Sequence, residues 1–172
     1  MNADELRALQ APLKQHYRES AAEALIPSRA EGTIEFDGIT CKVNAWHRTV
    51  DAGLHPAGGG SGEQACSADM LLQALVGCAG VTLASVATAM GLEIRAARVI
   101  AEGTWDARGT LAVDREAPIG LTNVTLTFEI DTDAPPDKVQ RLVASAEKYC
   151  VIAQTLREPP DISVKHSIVG QQ

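Results

Sequence analysis

From Met70 to Leu92 the chain contains no charged residue, and as one helix this stretch is long enough to span about 30 Å of hydrocarbon. It restricts the fold more than any other feature, because a helix apolar on every side must be enclosed by lipid or by protein. Its flanks are Asp69 and Glu93 rather than Lys or Arg, no Trp or Tyr marks an interface, and Gly77, Gly80, Thr82, Ser85 and Thr88 dilute its hydropathy. The rest of the chain reads as amphipathic strands and helices that need such a helix as their core. The stretch is therefore expected to be the buried central helix of a soluble protein, with Ser67 as N-cap, Asp69 in the first turn and Gly91 as the stop.

A chain of 172 residues suits one core with an appendage. Aromatic residues make up only 3%, so Ala, Val, Leu and Ile must build that core, and a base-stacking nucleic-acid surface is not expected. A net charge of −7 and a pI near 5.0 oppose binding to a phosphate backbone or an anionic membrane. The first twenty residues alternate charge with leucine and lack the apolar run of a secretory signal, which predicts a cytoplasmic protein. In that compartment Cys41, Cys66, Cys78 and Cys150 are read as core, metal or redox residues before they are read as disulfides.

The spacing of Leu6, Leu9, Leu13 and Tyr17 predicts an N-terminal amphipathic helix, kinked or divided at Pro12. Alternation over Ile34–Phe36 and Ile39–Ala45 predicts a hairpin with a two-residue Asp37-Gly38 turn and Cys41 on its apolar face. The glycine-rich stretch from Asp51 to Cys66 reads as a functional loop. After the central helix come two strands, one with Val99, Ala101 and Trp105, the other with Val124, Leu126, Phe128 and Ile130 on one face. A helix from Pro135-Pro136 to Pro159-Pro160 turns Val139, Leu142, Val143, Ala146, Cys150 and Ala153 inward, and Ile162, Val164, His166 and Ile168 predict a last strand.

Several chemistries are excluded by spacing. Gly60-Ser61-Gly62-Glu63-Gln64-Ala65 matches a degenerate dinucleotide fingerprint, but no strand leads directly into it and no βαβ unit follows. No Gly-Lys-Ser/Thr follows for a P-loop, and Gly60-Ser61-Gly62 falls short of a serine-hydrolase elbow. Neither the cysteines nor His16, His47, His55 and His166 have metal-ligand spacing, so no metal is expected. The thiols remain. If the central helix crosses the late helix, Cys78 and Cys150 meet in the core, either as two small packing residues or as a couple in which one thiolate attacks an electrophile and the other resolves the product.

Asp69-Met70-Leu71-Leu72-Gln73-Ala74-Leu75-Val76-Gly77-Cys78 resembles the first-cysteine helix of the OsmC-like family of osmotically inducible and organic-hydroperoxide-resistance proteins. Glu147-Lys148-Tyr149-Cys150-Val151-Ile152-Ala153-Gln154-Thr155-Leu156 resembles its second-cysteine helix, and the element order from Arg29 onward is similar. The resemblance implies an α+β subunit, an OsmC-like domain over residues 28–172 behind an N-terminal helical extension of residues 1–27. It also implies an intertwined homodimer, with β-sheets wrapped around long central helices and an active site at the subunit interface. The implied activity is that of a thiol peroxidase without cofactor: Cys78 attacks a hydroperoxide, Cys150 condenses with it, and a small or protein-bound dithiol reduces the disulfide. Two positions depart from the family pattern. Ala68 stands where hydroperoxide-specialised members place a glutamate, with Asp69 one step later, and Val151 follows the second cysteine in place of proline. A cation is expected beside Cys78, and Arg48, held by Asp69 or Glu63, is the candidate. The alternative is a non-catalytic dimeric small-molecule-binding or stress-response module of the same fold.

Overall fold

A computed structural model describes residues 1–45 and 47–170. Its centre is the uncharged stretch, which forms α2 (Ser67–Met90). Cys66 rather than Ser67 takes the N-cap position and offers no side-chain cap, whereas Gly91 closes the helix as expected, at φ 64° with its amide bonded to the Ala87 and Thr88 carbonyls. Leu75, Ala79, Leu83 and Ala87, one helical turn apart, form the buried stripe. Val81, on the other side, is 72% exposed. By length and composition α2 could cross a membrane; in this fold it packs on two later helices, on a strand and on the N-terminal helix.

Beside α2 lie β4 (Ala96–Thr104) and β5 (Thr122–Asp131), antiparallel with Val99 opposite Phe128 and Ala101 opposite Leu126. Leu126, Phe128 and Ile130 point inward as their alternation requires, while a register shift between Glu102 and Thr104 bulges the far end of the pair. Between the strands a short helix, α3 (Ala107–Thr110), is capped by Asp106. The late helix is two: α4 (Pro136–Tyr149) and α5 (Val151–Arg157), broken at Cys150, whose ψ of 110° is extended. Leu83, Ala87, Leu142 and Ala146 make one core cluster, and Leu75, Ala79, Cys150 and Ala153 another, with Cys78, Val99 and Leu126 packed against the second.

The segment before α2 is a three-stranded antiparallel meander, β1 (Gly32–Glu35), β2 (Thr40–Ala45) and β3 (Arg48–Ala52). Glu35 pairs with Thr40, so the hairpin loop has four residues, Phe36 to Ile39, not the two expected. Ile39 at φ 49° absorbs the turn that a glycine would take more cheaply. β3, which the sequence reading missed, starts at Arg48 opposite Ala45. The glycine loop that follows is tied to β3 by a parallel bridge between Ala52 and Ala65. A side chain at Gly60 would place its Cβ 1.7 Å from the Leu54 carbonyl oxygen, so that glycine serves a close backbone approach rather than a phosphate.

Among the described residues, this sheet makes its extensive contacts within itself. Ile34, Phe36 and Ile39 are exposed and line an apolar hollow with Cys41, Val43 and Leu54. The expected last strand does not form: residues 158–170 have no helix or strand and pair with nothing among the described residues, and Ile162 and Val164 are each 87% exposed. The N-terminal helix α1 (Ala3–Glu19) begins with an Asn2–Glu5 capping box and runs on through Pro12, followed by a 3₁₀ turn over Ala21–Ala24. It leans on α2 through a half-buried edge of Ala3, Leu6 and Gln10, and leaves Leu9 and Leu13 exposed.

Candidate functional site

The crossing of α2 with the α4–α5 corner brings two thiols together. Cys78 is half-buried on α2, a turn beyond Leu75, and Cys150 is fully buried at the corner itself, where it ends α4 and caps α5. The break makes the site. A continuous helix would consume the amides of Val151 and Ile152 in its own ladder, whereas the first amides of a new helix have no intrahelical acceptor.

Those amides reach Cys78. Burial opposes ionisation of the Cys78 thiol, yet the Ile152 N–H, the Cys150 thiol, the Val151 N–H and the Thr82 hydroxyl together hold it below the usual thiol range. Burial, the hydrogen bond with Cys78 and the charge of its thiolate push Cys150 upward, against the Ala153 N–H, which donates to the Cys150 Sγ at 3.4 Å. The pair is thus polarised, with Cys78 the more acidic thiol and Cys150 the one that holds its proton more firmly. Thr82 has one proton, which it also directs at the Cys78 carbonyl, 2.7 Å away. The carbonyl and the sulfur compete for it.

Neither other expected residue joins the thiols within the chain. Arg48 is exposed at the start of β3, and is not among the groups that act most on Cys78. Asp69 precedes Cys78 by nine residues, which at about 3.6 residues per turn is a half-integral number of turns and sets its carboxylate on the opposite side of α2. The expected cation is replaced, in its effect on the sulfur, by backbone amides. His55 at the glycine loop accepts the Ala57 N–H at 3.0 Å and stands edge-on to Trp105, a local structural role.

A cavity of about 430 Å³ borders the apolar cluster that holds the thiols, with neither sulfur in its lining. Leu75, Leu126 and Ala153 belong both to its wall and to the apolar cluster around Cys78 and Cys150. Its polar lining is Asn123, Glu147 and Arg157, the last two joined as an ion pair. Sequence reasoning missed these residues. Glu147 and Arg157 are ten apart, a separation that brings side chains together only once the helix is broken between them.

A thiol pair where the central helix of an α+β subunit crosses the α4–α5 corner defines a class, and comparison gives it a family. The model of the family described as OsmC-like protein matches residues 60–165, and the chain belongs to that family. No curated protein sequence matches it. Among solved structures, an OsmC-like protein from Mycoplasma pneumoniae superposes with a TM-score of 0.65 at 15% identity, over 78% of this chain and 89% of that one. An organic hydroperoxide resistance protein from Elizabethkingia anophelis gives 0.62 at 16%, covering 78% and 91%. The organic hydroperoxide resistance protein OsmC of Legionella pneumophila gives 0.61 at 16%, covering 77% and 90%. These likenesses establish the fold. The matched segment contains both thiols and begins after α1 and the three-stranded sheet.

Proposed function

We propose that the protein is a thiol peroxidase that reduces organic or small hydroperoxides through a Cys78–Cys150 dithiol–disulfide cycle. The observation that carries the reading is the opposite polarisation of two hydrogen-bonded thiols, one lowered and one raised. The substrate class is suggested by the hydroperoxide-resistance proteins that share the fold. The Cys78 thiolate attacks the terminal oxygen of ROOH, the O–O bond breaks, and the alkoxide leaves as ROH after taking a proton. Cys78 is then a sulfenic acid. With the thiolate charge gone, one of the causes holding the Cys150 proton disappears. Cys150 sulfur displaces hydroxide from Cys78 as water, the disulfide forms, and an external dithiol restores both thiols by two exchange steps.

The working unit in this reading is a homodimer in the cytoplasm, with residues 28–172 as the OsmC-like domain and residues 1–27 as a helical extension. Burying a large apolar side chain is worth about 1.5–3 kcal/mol. Leaving Ile34, Phe36 and Ile39 uncovered therefore forgoes an amount comparable to the whole net stability of a domain, roughly 5–15 kcal/mol. A second subunit supplies the cover, and across that interface Arg48 and Asp69 would act on the partner's site rather than their own. Removing the nucleophile tests the activity. Cys78→Ser abolishes hydroperoxide consumption in a folded protein, while Cys150→Ser turns over once and accumulates Cys78 sulfenic acid. Consumption at the wild-type rate in Cys78→Ser removes the proposed nucleophile and favours the binding module.

A further inference from the structure

The corner between α4 and α5 redistributes the main-chain hydrogen bonds around it. In an unbroken helix the Val151 N–H would donate to the Glu147 carbonyl four residues back. With Cys150 extended, at ψ 110°, that amide goes to the Cys78 sulfur together with the Ile152 N–H. The Ala153 N–H donates to the Cys150 Sγ at 3.4 Å, and the α5 ladder starts only with the Gln154 N–H on the Cys150 carbonyl at 3.0 Å. The first three amides of α5 thus serve the two sulfurs.

On the α4 side the Glu147 carbonyl is left short of a donor. The Cys150 N–H reaches it only at 3.3 Å, three residues on, and the Val151 amide is turned to the sulfur. The Gln154 side chain fills the gap: its carboxamide N–H donates to the Glu147 carbonyl at 3.0 Å, seven residues back. That reach follows from helix geometry, since side chains lean toward the N-terminal end of their helix, here back over the corner. Gln154 belongs to α5 by its main-chain amide and to α4 by its side chain, so it fastens the two helices across the one extended residue. Arg157 pairs with the Glu147 carboxylate, but both side chains reach solvent, and such a pair fixes the backbone less than a bond to the carbonyl itself.

We propose that Gln154 is a positioning residue: its carboxamide takes the place on the Glu147 carbonyl that the Val151 amide gives up, and so keeps that amide directed at the Cys78 sulfur. Without this donor the Glu147 carbonyl competes for the Val151 N–H, because closing the α-helical bond satisfies both groups at once. An amide drawn back into the ladder is lost to the sulfur, and a thiolate is less stable with each donor it loses. Gln154 is not itself among the groups that act most on either sulfur; it acts through Val151. For turnover its role rests on the peroxidase reading, whereas for the ionisation of Cys78 it stands without it.

Iodoacetamide alkylation of Cys78 in the reduced full chain, followed across pH by peptide mass spectrometry, reads the thiolate without any peroxide, so failure here is separate from a failure of peroxide chemistry. Gln154→Met keeps the length and helix propensity of an exposed side chain and removes the donor. Its Cys78 midpoint lies above that of the wild type, with the circular dichroism spectrum retained. Val151→Pro supplies a second background, because it has no amide for the Glu147 carbonyl to recover. Adding Gln154→Met there moves the midpoint less than it does in the wild type, the coupling expected of two residues that act through one bond. A residue that only stabilises the corner lowers the melting temperature and leaves the pH profile in place, or moves it equally in both backgrounds. An unchanged Cys78 profile in Gln154→Met, or equal shifts in the two backgrounds, overturns the proposal. If Gln154→Met loses its circular dichroism spectrum, Gln154→Ala replaces it under the same two criteria.

Discussion

Cys78 owes its acidity to neutral groups. Amides, a thiol and a hydroxyl outweigh burial without a cation among the main contributors in the chain, and this fixes the sign of its pH dependence. A lowered thiol is deprotonated at pH values where ordinary cysteine is not, so alkylation of Cys78 reaches half its maximal rate below the pH of the unfolded chain, and alkylation of Cys150 above it. Stopped-flow alkylation followed by peptide mass spectrometry reads both profiles. Cys150→Ala removes a donor and moves the Cys78 midpoint upward. Thr82→Val moves it the same way, and Thr82→Ser restores it; identical profiles for the wild type and Thr82→Val would confine that hydroxyl to the Cys78 carbonyl.

The break between α4 and α5 is the element on which the site depends, because it frees the amides of Val151 and Ile152. Val151→Pro tests it with little risk to the fold, since the first position of a helix tolerates proline. The variant stays folded, and its Cys78 midpoint rises because one of the two amides is gone; no rise would mean that Ile152 alone acts. The break also marks the limit of what the sequence discloses. The stripe of Leu142, Ala146, Cys150 and Ala153 reads as one helix because α5 resumes with Ala153 still inward, and no glycine or proline stands at the corner. The meeting of Cys78 with Cys150 was legible because both lie on apolar faces. Glu147 with Arg157, and amides with Cys78, were not, because both need the corner's extended residue. β3 has only Val50 and Ala52 as half-buried positions in five residues, too little alternation to register. At the other end, alternation from Ile162 to Ile168 reports extended amphipathic backbone and carries no information about where a pairing strand would come from.

The whole subunit is unevenly finished. One side, where α2, α4 and α5 meet β4 and β5, is closed, while the three-stranded sheet and the residues after α5 present apolar side chains to solvent. Phe36, 86% exposed at the hairpin tip, is the sharpest probe of a second subunit. If a dimer covers the sheet, sedimentation at micromolar concentration gives a dimer for the wild type and a smaller species for Phe36→Asp; a folded wild-type monomer would contradict it. The redox coupling of Cys78 with Cys150 stands apart from the assembly. It is tested most directly by treating the reduced protein with one equivalent of cumene hydroperoxide and mapping its cysteines by non-reducing peptide mass spectrometry. The expected result is an intramolecular Cys78–Cys150 disulfide formed within the time of peroxide loss, with Cys41 and Cys66 still free. Peroxide loss with both thiols unmodified, or oxidation that begins at Cys41 or Cys66, would contradict it.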